Sequence, residues 1–398
     1  MSTKKWILPV IVLSQFSCTS LWFAGNGVMN DLVRSFQLDS SSLGHLTSAV
    51  QFGFIIGTLL FALLTIADRF SPSVVFFVCA IAGALVNLGS ILDGNTLTTL
   101  LASRFATGFF LAGIYPVGMK IAADYFQKGL GKSLGFLVGA LVVGTSFPHL
   151  LKGFTGELPW RLVLILTSSL ATVGGLLILL FVPNGPYRKP NQQPDFSAWI
   201  SVFRNRNFRS AAFGYFGHMW ELYAFWAFVP IMLSSYLSLH PQTSFNIPIL
   251  SFLIIGLGGM ACVLGGYLSE KWGTKKIASI ALSLSGICCL LSPLAFYTNS
   301  EFVFIGFLIF WGLVVIADSP LFSTLVAQNA PVETKGTALT IVNCIGFSIS
   351  IVSIQLLTIF QDTLNSGNIY MVLALGPILG LLALYGKLES NRNSEVIK

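Results

Sequence analysis

Charged residues are scarce in this chain: only 9% of its 398 residues are charged, whereas 54% are hydrophobic. A soluble domain carries about a quarter charged residues, so the composition excludes an ordinary soluble enzyme. The net charge is +7, but the basic residues are scattered over short polar breaks and form no surface that could follow a nucleic acid. We therefore expect an integral membrane protein without a nucleic-acid partner.

Signatures of catalysis and of cofactor binding are missing as well. The sequence has no Gly-x-x-x-x-Gly-Lys-Ser/Thr loop for ATP, no Ser–His–Asp arrangement and no metalloprotease pattern. Its six cysteines all lie inside apolar segments, which favours core positions over disulfides or a zinc site. We expect no enzyme activity, no cofactor and no metal centre.

Twelve apolar runs of membrane-spanning length fill most of the chain. A helix needs about 20 apolar residues to cross the hydrocarbon layer, and these runs lack the alternation of barrel strands. The predicted spans are 6–28, 43–66, 74–92, 97–119, 133–153, 161–182, 210–235, 247–269, 276–297, 302–325, 337–360 and 369–386. The predicted fold class is all-α, with twelve transmembrane helices.

The distribution of Lys and Arg predicts the orientation of these spans. With the N-terminus inside, 18 of the 22 basic residues fall in inside segments, three fall outside and Arg104 falls within a span. Because cytoplasmic loops are enriched in Lys and Arg, we expect both termini in the cytoplasm. The expected location is the inner (plasma) membrane, as a multi-pass protein.

The two halves of the sequence repeat each other. Gly108 matches Gly312 and Pro116 matches Pro320, both at a separation of 204 positions, and Ser20-Leu-Trp22 matches Glu221-Leu-Tyr223 at 201. Six-plus-six repeats of this kind are typical of transporters. The predicted domains are an N-terminal six-helix bundle (1–182), a proline-containing cytoplasmic linker (183–209) and a C-terminal six-helix bundle (210–398).

A motif between spans eight and nine carries a family resemblance. The run from Gly266 through Glu270, Lys271 and Gly273 to Lys276 is similar to the loop signature of the major facilitator superfamily: Gly, three residues, Asp-Arg, one residue, Gly, then basic residues. Its first-half copy keeps Asp68-Arg69 but lacks both glycines. The resemblance implies that these loops latch the two halves together on the cytoplasmic side.

The resemblance extends over essentially the whole chain. Arg104 and Gly108 in span four are similar to the family's Arg-x-x-x-Gly motif. Span five lacks the Gly-Pro pair of many drug antiporters, and spans two and eight lack the arginines of nitrate porters. The resemblance implies two six-helix bundles that transport a solute, but it identifies no substrate-defined subfamily.

Arg104 is the candidate for binding an anionic group of the substrate. A guanidinium stays charged and suits a carboxylate, and charges inside a membrane are functional by default. Helical spacing predicts that Tyr115 shares the face of Arg104. The alternative is a structural arginine that pairs with an Asp or with backbone carbonyls.

Span seven carries the candidate proton site. Glu221 falls near the middle of the bilayer, and His218 lies three residues earlier on the same helix face. Burial favours the protonated form of a carboxyl, and a nearby His can relay the proton. The alternative is a static His–Glu hydrogen bond.

Asp318 in span ten precedes Ser319 and Pro320. Three roles remain open for it: a second proton site, the partner of Arg104, or the cap of a broken helix. Further candidates for substrate contact are intramembrane amides and aromatic side chains that could clamp a planar or apolar solute. They are Gln51, Asn343, Trp22, Trp220 and Trp226.

Together these features predict a monomeric secondary carrier that works by alternating access, with a small-molecule solute, a proton gradient and the lipid bilayer as its partners. Symport of an anionic metabolite is the first hypothesis. Proton-coupled export of an amphipathic compound, drug- or siderophore-like, is the second. A membrane sensor that binds a ligand without moving it is a remote third.

Overall fold

The structure is a computed structural model that describes residues 5–39, 41–126, 130–155, 159–188, 201–331, 335–361 and 367–386, without the side chains at 130–132, 155 and 201. Within these ranges the regular structure is entirely helical. Eleven helical segments are long and apolar enough to cross a membrane, and Ile7–Thr19 is a shorter apolar helix. The predicted all-α membrane fold is confirmed. The cytoplasmic placement of the termini stays a prediction.

The described residues of the N-terminal half form ten α-helices. They are α1 (Ile7–Thr19), α2 (Ala24–Gly27), α3 (Met29–Phe36), α4 (Ser42–Leu63), α5 (Ile66–Arg69), α6 (Pro72–Gly89), α7 (Leu97–Leu111), α8 (Tyr115–Tyr125), α9 (Leu130–Thr155) and α10 (Arg161–Phe181). Spans one and four are each divided, into α1 to α3 and into α7 and α8.

In the C-terminal half, the part of the chain that the structure describes forms eight further α-helices. They are α11 (Arg206–Leu239), α12 (Ile247–Gly256), α13 (Gly258–Trp272), α14 (Thr274–Phe296), α15 (Glu301–Ala317), α16 (Ser319–Asn329), α17 (Lys335–Phe360) and α18 (Leu375–Tyr385). Two 3₁₀ helices, Ser201–Arg204 and Asn368–Ala374, precede α11 and α18.

Spans four and ten are broken at matching places. In both, a proline occupies the first turn of the second segment: Pro116 in α8 and Pro320 in α16. A proline is tolerated there because the first amides of a helix have no intrahelical partner. The repeat seen in the sequence is therefore also a repeat of local backbone structure.

Two glycines allow close approach of helices within each half. A Cβ at Gly108 of α7 would collide with the carbonyl of Val50 in α4, and one at Gly312 of α15 would collide with the carbonyl of Ile254 in α12. Only a glycine fits where a helix backbone packs this closely on its neighbour.

The helices pack as two groups that meet along two seams. α1, α4, α6, α7, α9 and α10 pack among themselves, as do α11, α12, α13, α14, α15, α17 and α18. Contacts between the groups run from α4 to α17 and from α9 to α12 and α13. A cavity lies between the groups, where both repeats contribute to its wall.

Candidate functional site

The central cavity has a volume of about 300 Å³. Residues of α8, α9, α11, α15, α16 and α17 line it, so both halves of the chain contribute. Gln328 and the exposed Lys335 flank the connection between α16 and α17, and mark one end of the cavity. The charge distribution predicts that this is the cytoplasmic end.

Aromatic side chains dominate the wall of this cavity. Three tyrosines, one tryptophan and one phenylalanine line it: Tyr115, Tyr215, Tyr223, Trp226 and Phe347. The indole nitrogen of Trp226 is buried and has no hydrogen-bond partner among the described residues. The three tyrosines add phenol hydroxyls to this wall. The wall therefore combines flat apolar faces with polar groups that can bind a solute.

Trp22 lies in an aromatic layer behind this wall. It stacks on Tyr223 with ring centroids 5.8 Å apart and on Phe347 at 5.7 Å. Phe54 adds contacts to Trp22 and to Phe347. These rings come from both halves of the chain, so the layer joins the two bundles.

Of the predicted substrate contacts, Tyr115, Trp226 and Asn343 line the cavity. Gln51 does not; its Oε1 accepts a hydrogen bond of 2.9 Å from Ser350 of α17. Trp220 donates from Nε1 to the carbonyl of Val372, away from the cavity. Gln51 and Trp220 thus connect helices in this conformation.

Arg104 lies away from the central cavity. Its Nη2 donates to the carbonyls of Leu21 and Trp22 at 2.9 and 2.8 Å, and its Nη1 donates to Asn87 at 2.9 Å. The carbonyls belong to the break between α1 and α2, where the backbone has left the helical pattern. The guanidinium therefore satisfies backbone groups that lipid cannot solvate.

The predicted face shared by Arg104 and Tyr115 is wrong, since the helix is interrupted between Leu111 and Tyr115. The change of direction at 112–114 carries Tyr115 into the central cavity, whereas Arg104 borders a small separate pocket with Gly25 and Asn26. Of the three roles left open for Asp318, the pairing with Arg104 does not match the structure, in which Arg104 donates to Leu21, Trp22 and Asn87.

Asp318 pairs with His218. Nδ1 of His218 lies 2.8 Å from Oδ1 of Asp318, and both side chains are almost completely buried. Asp318 stands at the break between α15 and α16, but its side chain does not cap α16. Nε2 of His218 and both carboxylate oxygens of Asp318 have no hydrogen-bond partner of good geometry among the described residues. The pair therefore retains an unused donor or acceptor on each member.

Glu221 is bound by a different set of residues. Its carboxylate accepts hydrogen bonds from Trp311 Nε1 at 2.6 Å, Ser285 Oγ at 2.8 Å and Cys289 Sγ at 3.3 Å. These donors come from α14 and α15, so Glu221 ties α11 to both. The predicted His218–Glu221 pairing is wrong, because the two side chains turn to different partners.

The first loop copy makes its contacts inside the N-terminal half. Asp68 forms a 2.8 Å ion pair with Lys120 of α8, and Arg69 Nε donates to Thr65. Arg188 donates to the carbonyls of Asp68 and Phe70, which fastens the start of the predicted linker to this loop. The rest of that linker up to residue 200 lies outside the described residues.

The second loop copy likewise contacts its own half. Gly273 has φ of +88° and forms the turn between α13 and α14, a conformation that favours glycine. Lys271 lies over the ring of Trp272. Gly266 and Glu270 line a second cavity. These contacts of each copy stay within one bundle, so the latch between bundles remains a prediction.

Sequence reasoning missed several residues of the site. Tyr215 follows the helical spacing that also places Tyr223 and Trp226 on the cavity side of α11, so this periodicity could have identified it. Trp311, Ser285 and Cys289 carried no signal, since nothing in an apolar span indicates which distant carboxylate it contacts. Among the described residues, no group of three His, Cys, Asp or Glu side chains could hold a metal ion.

Comparisons with known proteins agree with this architecture. A family model described as Major Facilitator Superfamily matches residues 11–354. The chain is 23% identical to the uncharacterized MFS-type transporter YfhI of Bacillus subtilis (strain 168) over 341 residues, which cover 82% of this chain and 80% of that protein.

Two solved structures show a similar fold. One is the human organic anion transporter MFSD10, with a TM-score of 0.72 and 15% identity over 96% of this chain and 100% of that one. The other is a bacterial homologue of the human lysosomal transporter Spinster in an inward-facing, unoccupied conformation. Its TM-score is 0.68, with 15% identity over 96% of this chain and 95% of that one.

Proposed function

The chain belongs to the Major Facilitator Superfamily, and from this premise we propose that it carries a small amphipathic organic solute by alternating access, coupled to protons. As a member of this family it is a multi-pass membrane protein and a secondary transporter. The aromatic cavity between the two bundles is the observation that carries the proposal for the solute.

The size and chemistry of the cavity favour an amphipathic solute. Its volume of about 300 Å³ is at the lower end of the range for small-molecule sites, roughly 300–1,000 Å³. Aromatic faces bind planar or apolar groups, while the hydroxyls, Asn343 and the Trp226 N–H can meet one polar group. These features favour an amphipathic compound as the solute, and we propose its export in exchange for protons as the first candidate.

Symport of an anionic metabolite is the second candidate. Lys335 is the one charged residue among the described side chains that line the cavity, and it can attract an anionic group. The sequence predicts that Arg104 binds an anionic group of the substrate. In the structure its guanidinium already donates to Leu21, Trp22 and Asn87, so it gives this candidate little support.

We assign proton exchange to His218 and Asp318 ahead of Glu221. The Glu221 carboxylate accepts three hydrogen bonds, which fix it as a connection between helices. Asp318 has one close partner, and the residues that follow it, Ser319 and Pro320, line the cavity. A change in the charge of this pair therefore acts directly on the cavity wall.

The cellular setting is part of the same proposal. We propose an inner (plasma) membrane location, a monomer, and both termini in the cytoplasm. The asymmetry of Lys and Arg between the loops supports this orientation. With it, the cavity opens to the cytoplasm and is closed towards the outside.

A ligand screen with one matched pair of variants tests the solute class. Purified protein is screened for thermal stabilisation by organic anions, organic cations and neutral amphiphiles, since a ligand that binds the native state stabilises it. Trp226→Phe keeps an aromatic ring but removes the N–H; loss of one hydrogen bond costs about 1 kcal/mol, or roughly fivefold in Kd.

Trp272→Phe is the control, because Trp272 is exposed at the end of α13, away from the central cavity. Amphiphile hits that Trp226→Phe weakens and Trp272→Phe does not support the proposed site. Hits confined to anions, weakened by Lys335→Ala, would move symport to first place. Binding without counterflow in proteoliposomes would indicate a sensor.

Transport under an imposed proton gradient tests the proton site. With the outside acidic, symport accumulates the screened ligand inside proteoliposomes and antiport depletes it. We expect Asp318→Asn to abolish the effect of the gradient while counterflow persists. Asp93→Asn, at an exposed carboxylate, is the control. A gradient response that survives in Asp318→Asn but not in Glu221→Gln would transfer the role to Glu221.

A further inference from the structure

A second cavity adjoins the first at the seam between the bundles. It has a volume of about 210 Å³ and lies between α9 of the N-terminal half and α13 and α16 of the C-terminal half. Pro320, Thr324 and Gln328 line both cavities. The two spaces are therefore neighbours that share one wall on α16.

The glycines of α9 and α13 show where these two helices touch and where they are apart. A Cβ at Gly139 would come within 3.1 Å of the carbonyl of Gly259, so α9 and α13 touch at that level. About one turn earlier in α9, at Gly135, and two turns later in α13, at Gly266, an added Cβ would meet no atom within 4 Å. The seam thus widens from Gly139 towards the end where α9 begins and α13 ends.

The outer side of this opening faces the apolar part of the membrane. The wall is apolar here, with Phe136, Val263 and Leu321, and the lining residue Tyr267 is 50% exposed on a segment hydrophobic enough to span a bilayer. At the end of α13 the wall becomes polar, with Ser269 and Glu270. An apolar stretch that ends in polar groups at the membrane surface matches the shape of an amphiphile lying in one leaflet.

We propose that this seam between α9 and α13 is a lateral entrance, through which an amphiphile dissolved in the membrane leaflet reaches the central cavity. The inference rests on the proposed function for the identity of the solute, but the route itself is a property of the two adjoining cavities. The solute enters with its apolar part first, past Gly135 and Gly266, and crosses the shared wall on α16.

The route is tested by labelling a cysteine at its inner end. Ser323 lines the central cavity on α16, and the six native cysteines are buried. Ser323→Cys is reconstituted in proteoliposomes and labelled either with N-(1-pyrenyl)maleimide dissolved in the bilayer or with a sulfonated, membrane-impermeant maleimide in the water at the open end. Peptide mass spectrometry reports the labelling rate at position 323.

Tryptophan substitutions at Gly135 and Gly266, where an added Cβ would meet no atom within 4 Å, then block the seam. In the Gly135→Trp, Gly266→Trp variant we expect a several-fold lower rate with the pyrene reagent and an unchanged rate with the sulfonated one. The control is Gly306→Trp, which also has open space around its Cβ but lies on the exposed face of α15. It should change neither rate.

Unchanged pyrene labelling in the blocked variant would overturn the lateral entrance. A parallel fall of both rates would also overturn it, because the tryptophans would then close the aqueous mouth. If the double variant does not fold, Gly266→Trp alone carries the same expectation. No solute is needed for this experiment, so its failure leaves the ligand screen unaffected, and a failed screen leaves the route unaffected.

Discussion

Arg104 and Glu221 are buried ionisable side chains, and each joins several spans of its own bundle. Arg104 joins the break in span one to Asn87 in span three, and Glu221 joins span seven to Cys289 in span nine. Asn87 and Cys289 are 202 positions apart, close to the offset of the sequence repeat. Each bundle is thus tied by one buried ionisable side chain, Arg104 of span four in the first and Glu221 of span seven in the second.

We expect Arg104→Lys to destabilise the protein without changing its preference among solutes. A lysine ammonium is a single point of charge and cannot reach the two carbonyls and the Asn87 amide together. Leaving such buried groups unpaired costs about 3 kcal/mol. Thermal unfolding in detergent measures the loss, with the exposed Arg34→Lys as control. Normal stability together with an altered ligand profile would contradict the structural role and restore Arg104 as a substrate contact.

The sequence could identify these residues but could not identify their partners. An intramembrane charge is conspicuous because it is costly. The acceptors of Arg104, however, are carbonyls freed by a break in a helix 82 and 83 positions away. His218 and Glu221 lie on one helix, yet packing turns them to Asp318 and Trp311, which spacing along α11 cannot reveal.

At the scale of the helices, close packing depends on small residues at repeated positions. Gly312 of α15 faces the backbone of α12 so closely that even a methyl group would collide with the carbonyl of Ile254. Gly306 is one and two-thirds turns earlier on the same helix and faces open space. Alanine substitutions at these two glycines therefore distinguish the effect of helix packing from the effect of helix propensity.

We expect Gly312→Ala to destabilise the C-terminal bundle by about 1–3 kcal/mol, the usual cost of overpacking. Alanine is the better helix former, so Gly306→Ala should be neutral or slightly stabilising. Thermal unfolding of the two variants in one detergent gives the comparison. Equal unfolding temperatures for both would mean that α12 and α15 can separate freely at this point.

The helices were more predictable from the sequence than their interruptions. The length of each apolar run located the spans, because a bilayer requires about 20 apolar residues. Pro320 indicated one break, and its partner Pro116 marks the other. The break in span one contains no proline; Arg104 satisfies its carbonyls from another helix, which no local pattern could indicate.

At the scale of the whole molecule, the two bundles are joined at one end and parted at the other. Ser350 of α17 donates to Gln51 of α4, and Gln355 donates to Ser48 at 2.8 Å. Trp22 and Tyr223, which correspond in the repeat, stack across the same interface. Alternating access requires these contacts to separate while the opposite end closes, so their strength sets the balance between the two states.

We expect Ser350→Ala to shift this balance towards the state that opens at the α4–α17 end. One hydrogen bond contributes about 1 kcal/mol, or roughly fivefold in the equilibrium. Spin labels on Thr98→Cys and Gln242→Cys, which lie on different bundles at this end, report the separation as a distance distribution. Ser348→Ala is the matched control, since the Ser348 hydroxyl donates to the carbonyl of Cys344 in its own helix. A larger population of long distances in Ser350→Ala alone supports the contact as a closure of the cavity. The same distribution in both variants would mean that the aromatic layer, rather than this hydrogen bond, holds the bundles together.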